Sequence, residues 1–494
     1  MSIRVLQNYI NGEWVDAPPC EALDVRNPST DEVIARVPLS PAAEAGRAIA
    51  AAKAAFPAWA ATPVAKRCEI LFELTGLLRE HAEGIGRTLV SEMGKSLVDA
   101  RAEMKRCVEN CQVACGMPIL QQGEGLVGVA DGIDGEVIRL PVGVFGMIAP
   151  FNFPAMVPFW FLPYALAAGN TFVLKPSEQV PCTMAQIAEL IGRTALPAGV
   201  FNLVNGDKAV AAALMESPDV AGVSMVGSSR VCRIVAETCA RSGKRFQAMG
   251  SAKNHLVVMP DADIDQCVRN MITSCFGCAG QRCMAASAIV CVGEETYRTV
   301  REKFIAAARD VAVGDPLDEA HAGLDVVVGP VISAAAKERI LGLIAQGVAE
   351  GATLALDGRD VVVPGCEKGY FIAPTILTDV KPGMVCHKTE IFGPVVVMLQ
   401  AGTLEEAIAI INDHEYGNGA SIYTQSGYFA RRFKIEVRCG MIGINVGIPA
   451  PAAYLPFGGM KASLYADVKT QAKAAVRFFT EEKIVTKRYW PEKG

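Results

Sequence analysis

Residues 141–178 read PVGVFGMIAPFNFPAMVPFWFLPYALAAGNTFVLKPSE. Val142–Ala149 is an apolar run of strand length, and Thr171–Leu174 is a second, ending in Lys175-Pro176-Ser177-Glu178. The stretch between them, Met156 to Ala168, is strongly apolar, but Pro158 and Pro163 break it and it is too short to span a bilayer. Phe201–Val204 and Gly222–Val226 repeat the strand pattern, the latter ending in Gly227-Ser228-Ser229, and helical stretches separate all four. Buried runs alternating with helices mark βαβ units. A parallel, doubly wound sheet is therefore expected, with ligands at the carboxyl ends of its strands.

On the amino-terminal side, residues 8–38 alternate and carry the turn signals Asn11-Gly12 and Asn27-Pro28, which predicts short strands. Residues 41–117 are rich in Ala, Glu, Arg and Leu at helical spacing. Residues 123–144 alternate again around Asp131-Gly132, a hairpin signal. On the carboxyl side a second α/β region spans 250–450, with strands expected at Leu256–Met259, Ala288–Val292, Val396–Leu399 and Gly443–Val446. The tail after Ser463 joins a helix to a strand at Ile484–Thr486.

A chain of 494 residues is too long for one core, so two or three domains are expected. With 51% hydrophobic and 20% charged residues it reads as globular. The net charge of −5 is spread along the chain, which argues against a nucleic-acid or anionic-membrane surface. Sixteen cysteines, several in helix-like segments such as Cys107, Cys111 and Cys115, read as small buried hydrophobes in a reducing cytosol. Met1-Ser2-Ile3-Arg4 leads into a polar strand-like stretch without an apolar signal region, so a cytoplasmic location is expected. No metal is expected.

Two runs carry chemistry. In FGCAGQRCMA, residues 276–285, Cys283 follows a glycine, a glutamine and an arginine. The neighbouring Arg282 and a helix-start position would both favour its thiolate, the reactive form. In PFNFP, residues 150–154, the amide of Asn152 is held between prolines and suits donation to an oxyanion. A thiol and an oxyanion donor are the two parts needed to capture a carbonyl covalently. Taken alone, Lys175-Pro176-Ser177-Glu178 is a capped helix start. Gly227-Ser228 precedes a helix whose first N–H groups would face a pyrophosphate, although no strict GxGxxG is present.

These runs, together with Glu390-Ile391-Phe392-Gly393-Pro394 and Gly250-Ser251-Ala252-Lys253-Asn254-His255, resemble the aldehyde dehydrogenase superfamily. Within it the chain resembles the methylmalonate-semialdehyde dehydrogenase family, from about Tyr9 to Trp490. The resemblance implies an α/β fold of three parts. A Rossmann-like NAD-binding domain would take 1–123 and 145–249, and an α/β catalytic domain 250–450. A β oligomerisation arm would take 124–144 and 464–494, giving a homodimer or homotetramer. It implies Cys283 as nucleophile and Asn152 as oxyanion donor. It implies NAD contacts from Ala149, Pro150, Phe151, Lys175, Ser177, Glu178, Gly227, Ser228, Glu390 and Phe392. Glu178 would repel a 2′-phosphate, so NAD is favoured over NADP. Arg106 and Arg282 would clamp a substrate carboxylate bidentately.

Where hydrolytic members carry a water-activating glutamate, this chain has Ala248. General-base help is worth ~10²–10⁴-fold, so coenzyme A is implied as the acyl acceptor. The implied reaction is NAD-dependent oxidation of malonate or methylmalonate semialdehyde through a cysteine thioester. Loss of CO₂ and transfer to CoA would give acetyl-CoA or propionyl-CoA. The alternative is a non-acylating NAD-dependent aldehyde dehydrogenase acting on another acid-bearing aldehyde. It is motivated by departures at Cys275, Cys278, Gly447 and Tyr454-Leu455-Pro456, all expected to border the substrate pocket. Cys232 replaces a glycine found in many members. Cys278 is expected either to fill core space or to protect Cys283 through a reversible disulfide.

Overall fold

The two apolar runs of residues 141–178 form Val144–Ile148 and Thr171–Lys175, paired in parallel within an eight-stranded sheet of the computed structural model. Phe201–Leu203 and Val220–Val226 flank them, and Arg245–Met249 follows, all parallel. Short antiparallel strands close both edges: Asn8–Ile10 with Glu13–Val15, and Leu464–Tyr465. Residues 3–321, 323–450 and 452–491 are described. Met1-Ser2 of the amino-terminal reading, Ala322 and residues 492–494 of the expected arm lie outside them. The inner strands are buried on both faces, with Phe145, Met147, Phe172, Val173 and Leu174 sealed from solvent. Burial of one such side chain is worth about 1.5–3 kcal/mol.

A seven-stranded sheet holds the second α/β region. Its order is Thr353–Leu356, Thr375–Thr378, Val395–Ala401, Ala286–Val292, Asn254–Val258, Gly419–Tyr423 and Met441–Ile444, parallel except at the first edge. The expected strand at Gly443–Val446 begins earlier and ends at Ile444. Two strands without an apolar signature are built in as well. Arg245–Met249 buries Gln247, whose amide donates to the carbonyls of Val468 and Lys469. Gly419–Tyr423 buries Ser421, which donates to the Gly447 carbonyl. Partners supplied from distant segments make these polar side chains tolerable in a core.

A separate three-stranded sheet joins Glu124–Ala130, Ile133–Pro141 and Thr480–Arg488. The hairpin turns at Asp131-Gly132, where Gly132 has φ +68°. This sheet is smaller than the expected arm. Val144 already belongs to the eight-stranded sheet, and so do Leu464–Tyr465. The helix Ala472–Phe479 also leaves the arm, because Phe478 and Phe479 pack against the ring of Phe145 at centroid distances of 5.4 and 4.7 Å. Among the described residues no helix is long and apolar enough to cross a membrane.

Candidate active site

The helix Ile264–Phe276 ends in a turn, Gly277–Gly280, in which Cys278, Ala279 and Gly280 have φ of +51°, +52° and +68°. Left-handed geometry costs an L-residue roughly 1–2 kcal/mol, so the turn needs outside support. Asp99 accepts the Cys278 N–H at 3.0 Å, and the Gln281 side chain accepts the Ile332 N–H at 3.0 Å. Gly280 lies against the EIFGP segment so closely that a Cβ there would sit 2.0 Å from the Gly393 carbonyl oxygen.

Cys283 follows this turn and precedes the strand Ala286–Val292. It is not at a helix start, contrary to expectation, because the chain passes directly from turn to strand. Its carbonyl accepts the side-chain amides of Asn254 at 2.8 Å and Asn418 at 2.9 Å. Burial pushes its thiol up to about 12. The negative charge of Glu390 adds to that, while Arg282 opposes it and is outweighed. The group is therefore held as a thiol in this state.

Asn152 is buried and donates its amide to the Gln281 carbonyl at 3.1 Å, which ties the PFNFP loop to the cysteine loop. The main-chain carbonyl of Asn152 accepts from Lys95 Nζ at 2.6 Å. Lys95 also bonds Glu103, whose other oxygen accepts the N–H groups of Ala155 and Met156.

Cys283 opens on a cavity of about 590 Å³. Phe153, Met156, Trp160, Ile448 and Phe457 supply its apolar wall, and Arg106 and Arg282 its cations. Arg106 lies on the helix Leu97–Ala114, with Nη1 on Glu109 at 2.7 Å. Arg282 is more committed than expected. Its Nη2 pairs with Asp99 and its Nε donates to Cys278 Sγ at 3.2 Å, which leaves Nη1 as the nitrogen without a partner among the described residues. The bidentate clamp expected of Arg282 is thus reduced to one nitrogen. The acidic residues of the wall, Asp99 and Glu103, are both ion-paired.

Gly447 lines the cavity, while Tyr454 and Leu455 are exposed and Cys275 and Cys278 are buried outside its wall. Of the departures expected to border the pocket, only Gly447 does so. Cys278 is packed against Arg282, and all sixteen cysteines are unpaired. Ala248 is also absent from the wall. It packs with Val223 and Met225 inside the eight-stranded sheet's core.

The segments expected to hold a dinucleotide cluster at the carboxyl ends of the eight-stranded sheet. The Ala149 N–H bonds the Lys175 carbonyl at 3.0 Å, and the rings of Phe151 and Phe392 meet edge-on at 5.7 Å. Lys175 Nζ bonds Glu178 at 2.9 Å. Pro176 and Ser177 do not start a helix. The next one begins at Cys182 and is capped by the distant Glu92, which accepts the Cys182 and Thr183 N–H groups. Gly227-Ser228 leads into the helix Ser229–Arg241, which has no side-chain cap. Its first N–H is not free as expected, because the Ser229 N–H bonds Ser251 Oγ at 3.2 Å. Cys232 lies under this turn with its sulfur 3.8 Å from the Gly227 carbonyl oxygen. Glu390 accepts the Ala252 N–H at 3.0 Å, and burial pushes its carboxyl up to about 7.

Two supporting residues, Lys95 and Glu103, carried no local signal, and Asn254 lay in the Gly250–His255 run with no role assigned to it; Asn418 was likewise given none. The one hint was polar type at positions that a helix or strand pattern would leave apolar.

The model of the aldehyde dehydrogenase family matches residues 14–485. A malonate-semialdehyde dehydrogenase of Geobacillus thermodenitrificans is 45% identical over 488 residues, 99% of each chain. Two crystal structures superimpose with TM-scores of 0.96 at 41% identity. One is a methylmalonate-semialdehyde dehydrogenase from Oceanimonas doudoroffii, covering 99% of both chains. The other, from Sinorhizobium meliloti 1021, is provisionally assigned to the same activity and complexed with NAD; it covers 100% of this chain and 99% of its own.

Proposed function

Because the chain belongs to the aldehyde dehydrogenase family, we propose that it oxidises malonate or methylmalonate semialdehyde with NAD⁺ and transfers the acyl group to coenzyme A. The observation that carries this reading is the cavity in which one thiol and two guanidinium groups converge while both wall carboxylates are neutralised. A small aldehyde bearing an anion fits that chemistry.

The donor set suits NAD. Glu178 and Lys175 offer hydroxyl partners at a strand end, and the helix beginning at Ser229 offers its dipole, and N–H groups beyond that of Ser229, to phosphate. Glu390 is a partly buried carboxylate without an ion pair among the described residues, and a ribose diol would satisfy it. The repulsion between Glu178 and a 2′-phosphate favours NAD over NADP. When bound, the nicotinamide supplies a two-electron acceptor for hydride.

The protein's own residues do the rest. Arg106 and Arg282 orient the substrate carboxylate. Cys283 adds to the carbonyl carbon after its thiol loses a proton. Asn152 exchanges its bond to the Gln281 carbonyl for one to the new oxyanion, alongside the Cys283 backbone N–H. Oxidation leaves a thioester on Cys283. The thioester carbonyl accepts the electron pair released as the β-carboxylate leaves as CO₂, and protonation of the enolate gives the shortened acyl group. With Asp99 and Glu103 tied up, no wall carboxylate activates water, so the thiol of CoA is the acceptor.

The exposed apolar residues Leu126, Val127, Val129 and Ile484 of the three-stranded sheet support pairing with another copy, as a homodimer or homotetramer. Sixteen unpaired cysteines support a cytoplasmic location.

The test is NADH formation from both semialdehydes with and without CoA, with products identified by mass. Turnover should rise strongly with CoA and yield acetyl-CoA or propionyl-CoA. Equal rates with free acid as the product would overturn the acylating reading.

A further inference from the structure

Lys95 and Glu103 form an ion pair in which neither side chain touches solvent. Lys95 follows the left-handed Gly94 that ends one helix, and precedes Ser96, whose hydroxyl caps the next. An ammonium has three donor directions. One goes to Glu103 Oε2 at 2.6 Å and one to the Asn152 carbonyl at 2.6 Å. The ammonium also stands over the Phe153 ring, 3.7 Å from its centroid. Glu103 uses its remaining oxygen to hold the Ala155 and Met156 N–H groups at 2.9 and 3.0 Å. The pair therefore grips the main chain on both sides of Phe153, in the loop that carries Asn152.

Taking two ions out of water is costly, and apolar side chains of similar volume often hold a core at least as well. The pair does what apolar packing cannot. It bonds three main-chain polar groups of one loop and fixes their positions relative to the helix Leu97–Ala114. It also leaves the Asn152 side-chain amide free of Lys95, because the lysine takes the main-chain carbonyl instead.

We infer that Lys95 is a positioning residue for the Asn152 amide, with Glu103 holding the lysine and the loop in register. The inference rests on the proposed role of Asn152 as oxyanion donor. Such a donor must lie about 2.7–3.1 Å from the developing charge, and a misplacement of about 1 Å costs ~10²-fold in rate. Among the described residues Lys95 hydrogen-bonds only Glu103 and the Asn152 carbonyl, and so makes no hydrogen bond to Cys283 or to the residues expected to hold NAD.

The experiment is a double-mutant cycle on the full-length enzyme, reading the single-turnover rate of NADH formation. Lys95→Met is expected to slow that step about 10²-fold. The KM for aldehyde and the rate of Cys283 alkylation by iodoacetamide, followed by mass at its peptide, should change little. In an Asn152→Ala background Lys95→Met should cost almost nothing further, since residues acting as one unit are not additive. Fully additive losses would overturn the inference, as would an unchanged rate in Lys95→Met. A parallel collapse of alkylation would also overturn it, because the effect would then be general. If Asn152→Ala alone keeps full speed, the reading of Asn152 falls and the inference with it. Should Lys95→Met fail to fold, Glu103→Gln serves in its place. It keeps an acceptor for the Ala155 and Met156 N–H groups and removes only the charge, and the same non-additivity is expected.

Discussion

Replacing Arg282 with leucine should do two separable things. The guanidinium pairs with Asp99, bonds Cys278 Sγ at 3.2 Å, and lies where a Cβ on residue 277 would come within 2.5 Å of Nη2. The side chains of Arg282 and Asp99 are only 22% and 16% exposed. Without the cation, Asp99 keeps the Cys278 N–H and the nearby charge of Lys95, neither of which replaces a direct partner. One-sided loss of a buried pair costs about 3–5 kcal/mol, and the residual exposure puts this one near the lower end. The second effect falls on substrate. Losing a charge-assisted hydrogen bond costs about 1.5–3 kcal/mol, or roughly 10- to 150-fold. Arg106→Leu separates the two, because Arg106 and Glu109 are 35% and 28% exposed and their pair is worth at most about 1 kcal/mol. The assay compares kcat/KM for malonate semialdehyde and propanal in both variants, together with Tm. Each variant should lose the acid-bearing substrate about 10- to 150-fold more than propanal. Only Arg282→Leu should lose several degrees of Tm. Equal losses on both substrates would refute the clamp, and an unchanged Tm in Arg282→Leu would refute the account of Asp99.

Cys283→Ala should abolish NADH formation and leave NAD⁺ binding by fluorescence titration intact, whereas Cys278→Ala should remain active; the reverse pattern would reassign the nucleophile. Glu390→Gln should speed iodoacetamide labelling of Cys283 at pH 8 without NAD⁺, because removing the adjacent negative charge lowers the thiol pKa; slower labelling would contradict this. Thermal stability should rise from pH 4.5 to 6.5. Burial pushes His387 down to about 3 and His414 to about 4, and takes His255 well below its usual range. The unfolded chain therefore binds more protons in that window, and stability increases with pH. Glu92 and Glu390, raised to about 7, act in the opposite sense, favouring the fold below the unfolded carboxylate range and losing that contribution as pH rises to 7. Three histidines outweigh two carboxylates, so a Tm that falls across the window, or a slope unaltered in His387→Gln, would refute the balance.

The sequence by itself determined the features that depend on contiguous residues. Apolar runs such as Thr171–Leu174 and Ala288–Val292 must be buried wherever they lie, and both became inner strands. The order strand, turn, helix then dictated the parallel sheet. The cysteine loop was legible because its geometry is made within residues 276–285, where a small glycine admits the close approach of Gly393. Asn152, Cys283, Arg106 and Arg282 were all nameable from motif and type.

Only the tertiary structure decided how those groups are engaged. Asp99 lies 183 positions before Arg282, and it claims Nη2 while Cys278 takes Nε, nitrogens that a free guanidinium would have offered to substrate. Asn254, at the start of one strand, and Asn418, in the bend before another, meet on one carbonyl. His255, His387 and His414 gather at centroid distances of 5.1–5.4 Å from three separate segments. Ala248 turned into a sheet core instead of the cavity. Lys95 and Glu103 read as ordinary charged residues until the fold closed water away from both. Hydropathy records what a side chain prefers on average. A buried charge or amide is permitted by the one partner that the fold brings to it, and no local pattern contains that partner.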